Sequence, residues 1–465
     1  MGDLRRSSDS GVTVASATVA RATVGGDSGR RRPPERFVIC HLSPGDALTI
    51  PNTQLPTGAS PDLTPCYAPL APGRLRSAKA AYTTRHVDMH AVTRLLTGVP
   101  PRVGDLVLAR VAAIGQHPKI ELAHGRRAAM FVGDEIIVAY GNRYAPDQFE
   151  AELPEDLGPC ELVAAGGIAG RVIAAHGLMS AATGLEPIGL LADAAGNRVT
   201  LRSGVLAAPP TAGGNRPLTI AVVGASMNSG KTTVAAHLVR GLRLAGIEVG
   251  AAKTTGTGAG GDVWLLSDAG AFPVYDFTNA GYASTYRIGP DAVRDVFTGL
   301  TDRLAADGCE VVVLEVADGV FQEETAGLLV DPVFTERVDA VLFATRDALG
   351  ASAGVNWLRE RGPAPIAVCG VLSSSPLAIR EAEAATSIPV WGLAQLSDPG
   401  AARALYEGLR GGRAPRLTGH SDPAGEAALS AHTSPSNDRR LRAVSDRRPS
   451  SAPAPRRESV KVRDA

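Results

Sequence analysis

Residues 218–233 of this chain read L-T-I-A-V-V-G-A-S-M-N-S-G-K-T-T, and no other stretch limits the fold as strongly. The apolar run 218–223 has the length of a buried strand. It stops at Gly224, crosses a small polar loop and reaches Gly230, Lys231, Thr232 and Thr233. Helical spacing of Val234, Leu238, Leu242 and Leu244 follows. Strand, glycine-bounded loop, Gly-Lys-Thr and helix, in that order, are the layout of a phosphate-binding P-loop. The chemistry asks for these residue types. Glycines let backbone N–H groups turn inward around phosphate oxygens, and a helix N-terminus favours an anion. Lys231 can reach the β- and γ-phosphates, and the Thr232 hydroxyl can ligate Mg²⁺. The candidate nucleotide-binding set is Gly224, Asn228, Ser229, Gly230, Lys231, Thr232 and Thr233. Residues 225–229 separate the two glycines, one residue more than the commonest spacing.

From this loop to about Leu409, strand-like and helical segments alternate, which predicts an α/β fold with a mainly parallel sheet and helices on both faces. Strands are expected at 218–223, 247–252, 311–315, 338–344, 366–371 and 389–393. A ligand should then lie at their carboxyl ends. Polar residues collect at those ends. Lys253 follows the second strand in K-T-T-G-T-G-A-G-G-D, where Thr254 and Thr255 can approach a ligand and Asp262 can meet Mg²⁺. Glu315 closes the third strand, V-V-V-L-E, where a carboxylate belongs near the metal. Asp318, Gly319, Glu323 and Glu324 follow closely. The polar-aromatic segment 275–287, from Tyr275 to Arg287, is a candidate substrate contact.

Lysine is scarce, at five of 47 basic residues, so Lys231 and Lys253 carry more information than an arbitrary surface cation. Lysine is a compact charge suited to phosphate, whereas arginine is a wide fork.

The 465 residues suffice for two domains with tails. Residues 1–36 are Ser- and Arg-rich and carry net +3; residues 412–465 are rich in Ser, Pro, Ala and Arg and carry net +5 from 413 onward. Both read as disordered tails. Residues 37–212 form the second expected domain, β-rich, and 213–411 the P-loop domain, with 209–215 as linker. Stretch 51–72 is proline-rich and loop-like. Alternating runs around Leu106, Ile120 and Ile136, Gly-Asp turns before Leu106 and Glu135, and a hairpin turn at Gly196-Asn197 suggest a small barrel or sandwich. Within it, loop 141–150 gathers Asn142, Arg143, Tyr144, Asp147 and Gln148, the composition of a ligand contact. Gly166, Gly167 and Gly170 do not fit a dinucleotide fingerprint. His86 and His90 stand four apart, the spacing of metal ligands on one helix face, but with no Glu after the first His they read as a polar helix face.

Five scattered cysteines fit a reduced cytoplasm, and no apolar run has the length of a membrane span. The tails lack aromatics for base stacking, so nucleic acid is not an expected partner. The expected partners are a small-molecule carboxylate or amine and, for assembly, a second copy of the chain.

The motifs G-x5-G-K-T, K-T-T-G-T-G, L-E-V-A-D-G-V and F-A-T-R-D-A-L-G-A-S resemble the dethiobiotin synthetase branch of P-loop proteins, over the C-terminal half only. That resemblance implies an ATP (or GTP)- and Mg²⁺-dependent enzyme that activates a carboxylate or carbamate by phosphoryl transfer. On it, Lys231, Lys253 and Glu315 are catalytic, and Thr232, Asp262 and Glu315 hold the metal. The branch places an Asn after the fifth strand to read the base; Ser373, Ser374 and Ser375 stand there instead. The two-domain layout also resembles a related family that includes amino-acid N-acyltransferases, in which the loop holds a phosphate of coenzyme A. A nucleotide-hydrolysing switch or chaperone is the third reading.

Overall fold

The structure, a computed structural model, describes residues 64–206 and 216–412. The two tails (except Gly412), the linker 209–215 and the start of the β-rich region at 37–63 fall outside the described residues.

The first described part runs β1 (Cys66–Pro69), α1 (Arg74–Ser77), β2 (Lys79–Ala80), β3 (Arg94–Thr97), β4 (Leu106–Ala113), β5 (Lys119–Glu121), β6 (Arg127–Ala129), β7 (Glu135–Tyr140), β8 (Phe149–Glu152), β9 (Cys160–Ala164), β10 (Ile168–Ala175) and β11 (Thr183–Ala192). Strand β4 pairs with β7, β7 with β10, β10 with β9, β9 with β11, and β11 returns to β4. That circuit closes a five-stranded barrel in which only β7–β10 is parallel. Side chains alternate across a strand. Val107, Ala109 and Val111 of β4 therefore join one core with Ile136, Val138 and Leu162, while Leu106 and Leu108 join a second with Ile137 and Val163. The second core includes Ala283 from the other half of the chain, so the two halves share an apolar contact there.

The second part runs β12 (Leu218–Gly224), α2 (Lys231–Leu244), β13 (Val249–Lys253), α3 (Gly260–Asp268), β14 (Val274–Asp276), α4 (Pro290–Ala306), β15 (Val311–Glu315), α5 (Glu323–Val330), α6 (Pro332–Arg337), β16 (Ala340–Ala344), α7 (Ala348–Arg361), β17 (Ala367–Cys369), α8 (Pro376–Thr386), α9 (Leu393–Ser397) and α10 (Pro399–Arg410). Its sheet is wholly parallel, in the order β14-β13-β15-β12-β16-β17. Ile220 and Val222 of β12 face α2, α9 and α10, and Ala221 and Val223 face the opposite core with Phe297, Leu328 and Val355. Both faces are covered, which explains why these strands read as unbroken apolar runs. This is an α/β P-loop fold joined to a β-rich part.

Several expected elements shift. The segment 389–393 contributes only a bridge, Val368 to Val390, and helix α9 begins at Leu393. Pro389 has no N–H to donate, and Gly392 caps the next helix. The sixth strand is instead β14, three residues at the sheet edge hidden in the polar-aromatic segment. Strand β17 ends at Cys369, because Gly370 turns the chain with φ +94°. Strand β13 starts two residues late and takes in Lys253. Cys66–Pro69 is a strand inside the stretch read as loop. The turn at Gly196 is present, but its return arm holds only a bridge, Ala192 to Arg198.

Candidate functional site

The register of the sheet sets the site. Lys253 is paired with Glu315 across β13 and β15, and Glu315 with Val222 across β15 and β12. Three strand ends therefore meet where β12 gives way to the loop before α2. Asn228 is left-handed at φ +59°, and Gly230, at φ +94°, is the residue before the helix. A Cβ on Gly230 would lie 3.2 Å from Gly370 Cα, so two glycines let the loop pack against the turn after β17. No side chain caps α2, and its first amides remain free to meet an anion.

Lys231 is buried, and its Nζ donates to the carbonyls of Ser226 at 2.8 Å and Asp318 at 2.6 Å. Burial lowers its pKa, against the pull of Glu315 and Asp318. Thr232 Oγ1 lies 3.1 Å from Asp262 Oδ1 and 3.0 Å from Glu315 Oε1, so the three expected metal ligands converge on one point. Lys253 pairs with Asp262 from β13. Its burial would lower its pKa, but Asp262 and Glu315 outweigh that and hold it above the ordinary lysine value. Burial works against the charge of Asp262, yet Lys253 keeps this carboxyl below its usual range. Glu315 is pushed up to about 7, first by burial and then by Asp262. Burial also lifts Asp318 to about 6.

Two buried oxygens here have no hydrogen-bond partner, Glu315 Oε2 and Ser229 Oγ. An orphaned buried carboxylate oxygen is costly unless something outside the chain meets it. Two carboxylates and a hydroxyl suit a hard cation that keeps several ligands from water or phosphate, as Mg²⁺ does. Among the described residues no group of three or more His, Cys, Asp or Glu side chains is arranged to hold a metal by itself.

Other sequence candidates land elsewhere. Thr254 Oγ1 donates to the Glu315 carbonyl at 3.1 Å and Thr255 Oγ1 to the Ala317 carbonyl at 3.3 Å, so both brace the turn. Ser373 Oγ donates to the Gly370 carbonyl and Ser374 Oγ to the Val371 carbonyl, both at 2.8 Å, and Ser375 caps α8. Tyr275 turns away to Asp307, at 2.8 Å. Glu323 is exposed, while buried Glu324 accepts from the Arg287 amide and from Gln322. Thr233 directly follows Thr232 in the first turn of α2. His86 and His90 share no helix face. His86 sits in a turn, its Nε2 3.0 Å from Asn279 Nδ2, and His90 is exposed in a separate short 3-10 helix.

The barrel contributes directly. Asn228 Nδ2 donates to Asp147 Oδ2 at 2.9 Å, which ties the P-loop to loop 141–150. Glu121 accepts from the Gly260 amide and from Trp264 Nε1, both at 3.1 Å, and so caps the helix that carries Asp262. Gly166 lies where a Cβ would stand 2.0 Å from the Gly258 carbonyl. Its glycine serves close packing between halves, a role that local sequence does not reveal. Segment 275–287 is largely an interface: Asp276 binds Tyr82 at 2.6 Å and Arg85 at 3.1 Å, and Tyr286 binds Glu150 at 2.7 Å.

No protein-family model matches the chain, and no curated protein matches it. Solved structures that match part of the chain include three of the signal recognition system. The receptor FtsY from Elizabethkingia anophelis has 17% identity, with 39% of this chain and 60% of that chain covered and a TM-score of 0.28. The 54 kDa protein from Aeropyrum pernix K1 in complex with GDP has 20% identity, 42% and 50% coverage and a TM-score of 0.29. Chloroplast FtsY from Physcomitrella patens has 17% identity, 45% and 71% coverage and a TM-score of 0.29. The match spans half to three-fifths of the length of the first two.

Proposed function

We propose that the protein is a nucleoside-triphosphate- and Mg²⁺-dependent enzyme that activates a small-molecule carboxylate or carbamate by phosphoryl transfer. The observation that carries this reading is the convergence of Thr232 Oγ1, Asp262 and Glu315 beside two buried lysines, with Glu315 Oε2 left without a partner. The loop amides and Lys231 hold the β- and γ-phosphates. Lys231 gives up its bonds to Ser226 and Asp318 carbonyls for phosphate oxygens. Thr232, Asp262 and Glu315 would hold Mg²⁺, which would supply charge neutralisation on the phosphates. Lys253, kept protonated by Asp262 and Glu315, offsets the charge that spreads over the moving phosphoryl group. The barrel loop tied to Asn228 offers polar side chains to a second substrate beside the P-loop.

Thermal unfolding with Mg²⁺ and ATP, GTP or acetyl-CoA tests this in the wild type and in Lys231→Ala. A ligand that binds only the folded state raises the melting temperature by mass action. A rise with ATP or GTP, abolished in the variant, is the expected result, and ADP or GDP release stimulated by a carboxylate identifies the substrate. Stabilisation by acetyl-CoA alone would overturn the reading in favour of an acyltransferase. Slow nucleotide hydrolysis indifferent to every carboxylate would favour a switch.

A further inference from the structure

Among the described residues, six buried side-chain atoms lack a hydrogen-bond partner: Tyr140 OH, Arg143 Nε, Asp147 Oδ1, Ser229 Oγ, Glu315 Oε2 and Trp391 Nε1. Ser229 and Glu315 belong to the P-loop site. Arg143 and Asp147 belong to the barrel loop that touches it, and Arg143 alone is a permanent cation. It is 5% exposed and, among the described residues, has no ion pair. Its Nη2 donates to Gln148 Oε1 at 2.8 Å, and its Nη1 rests 3.3 Å from His117 Nε2. Both contacts orient the guanidinium without neutralising it.

A buried cation whose direct contacts are neutral is costly for a fold to keep. Burial holds the Arg143 pKa below its ordinary value, with Asp147 and Asp318 pulling the other way. Contacts around the loop locate the residue. Asp147 is bonded to Asn228 of the P-loop, and the Asp318 carbonyl takes the Lys231 ammonium. At the rim, Tyr144 packs against Tyr286 with ring centres 5.6 Å apart. The fork of a guanidinium matches a carboxylate or a phosphate.

We propose that Arg143 is the recognition residue of an oxyanion subsite that the barrel adds to the P-loop. This rests on the phosphoryl-transfer reading and deepens it. The anion has two sources with one chemistry, a carboxylate of the second substrate or the terminal phosphate of the nucleotide. The Asp147–Asn228 bond couples the subsite to the loop, so the site is complete only when both halves are in place.

The test uses the full chain, Mg²⁺ and three probes: succinate, ADP and a non-hydrolysable ATP analogue. Affinities are measured for wild type, Arg143→Met and Arg143→Lys. Arg143→Met also removes the donor to Gln148, so its melting temperature without ligand is taken first to establish that it folds. With ligand, it should bind one probe at least tenfold more weakly. A loss confined to succinate assigns the subsite to a substrate carboxylate. A loss confined to the ATP analogue, with ADP unchanged, assigns it to the terminal phosphate. Wild-type affinity of Arg143→Met for every probe overturns the inference while leaving the nucleotide reading standing. Succinate binding that depends on Arg143, with no nucleotide bound by wild type, sinks the nucleotide reading and keeps the subsite. If Arg143→Met fails to fold, Arg143→Lys carries the test. It keeps the charge without the fork, and undiminished binding by it refutes the proposal.

Discussion

Replacing Glu315 by Gln should stabilise the protein above pH 7 and remove its response to magnesium nucleotide. Burial, and then Asp262, lift the Glu315 carboxyl from 4.5 to about 7. The folded state therefore prefers the protonated acid. That preference contributes stability fully present below pH 4.5 and lost as pH rises through 7. At 1.36 kcal/mol per pKa unit, the ionised carboxylate costs the folded state about 3 kcal/mol. Gln has the shape and neutrality of the protonated acid. Glu315→Gln should then exceed wild type by up to about 3 kcal/mol at pH 8 and match it near pH 5. At about 2.1 cal/mol/K of unfolding entropy per residue, a unit of this size shifts by about 1.4 °C per kcal/mol, so the melting difference should reach about 4 °C. The assay is thermal unfolding in chelator at the two pH values, then in Mg²⁺ with ATP or GTP. With magnesium nucleotide the order should reverse, because the ligand stabilises only the wild type. A variant less stable than wild type at both pH values, by the same amount, would refute the argument that Glu315 is held ionised at a cost.

Burial, with Arg143 beside His117 and Arg85 beside His86, drives both histidines down to about 4. Their contribution is present above pH 6.5 and lost as pH falls through 4, so denaturant midpoints should drop over that window, and His86→Gln with His117→Gln should flatten the drop. Discounted for partial exposure, each histidine accounts for about 2 kcal/mol. Glu121→Ala strips the acceptor from Gly260 and Trp264 and should cost about 2 kcal/mol, seen as a lower urea midpoint. An unchanged midpoint would mean that water replaces the carboxylate. Gly354→Ala would place a Cβ 1.9 Å from Phe343 Cζ, in the core on the sheet face away from α2. It should lose about 1–3 kcal/mol of stability yet keep wild-type nucleotide affinity at low temperature, and weakened binding there would contradict the separation.

The sequence alone determined the α/β part because its signals are local. An apolar run, a glycine, Gly-Lys-Thr and a helical period lie within one window around Lys231, and the central strands 218–223 and 311–315 emerge with their polar ends. Glu315 and Lys253 were legible for the same reason, since a charged residue ending a buried run stands out. Edges were not legible. Val274–Asp276 is too short to show a period, and Pro389 and Gly392 spoil a run that otherwise looks like a strand. Tertiary structure alone decided which strand ends are neighbours. Lys253 and Glu315 are 62 residues apart in sequence but register partners across two strands. It also decided that barrel residues bond to the P-loop part. The Asp147–Asn228, Glu121–Gly260 and Tyr286–Glu150 bonds each span 81 residues or more. Burial then moved the pKa values of Glu315, Asp318 and Arg143 away from their ordinary ones. No window of sequence encodes these, because they depend on which distant groups exclude water from each charge.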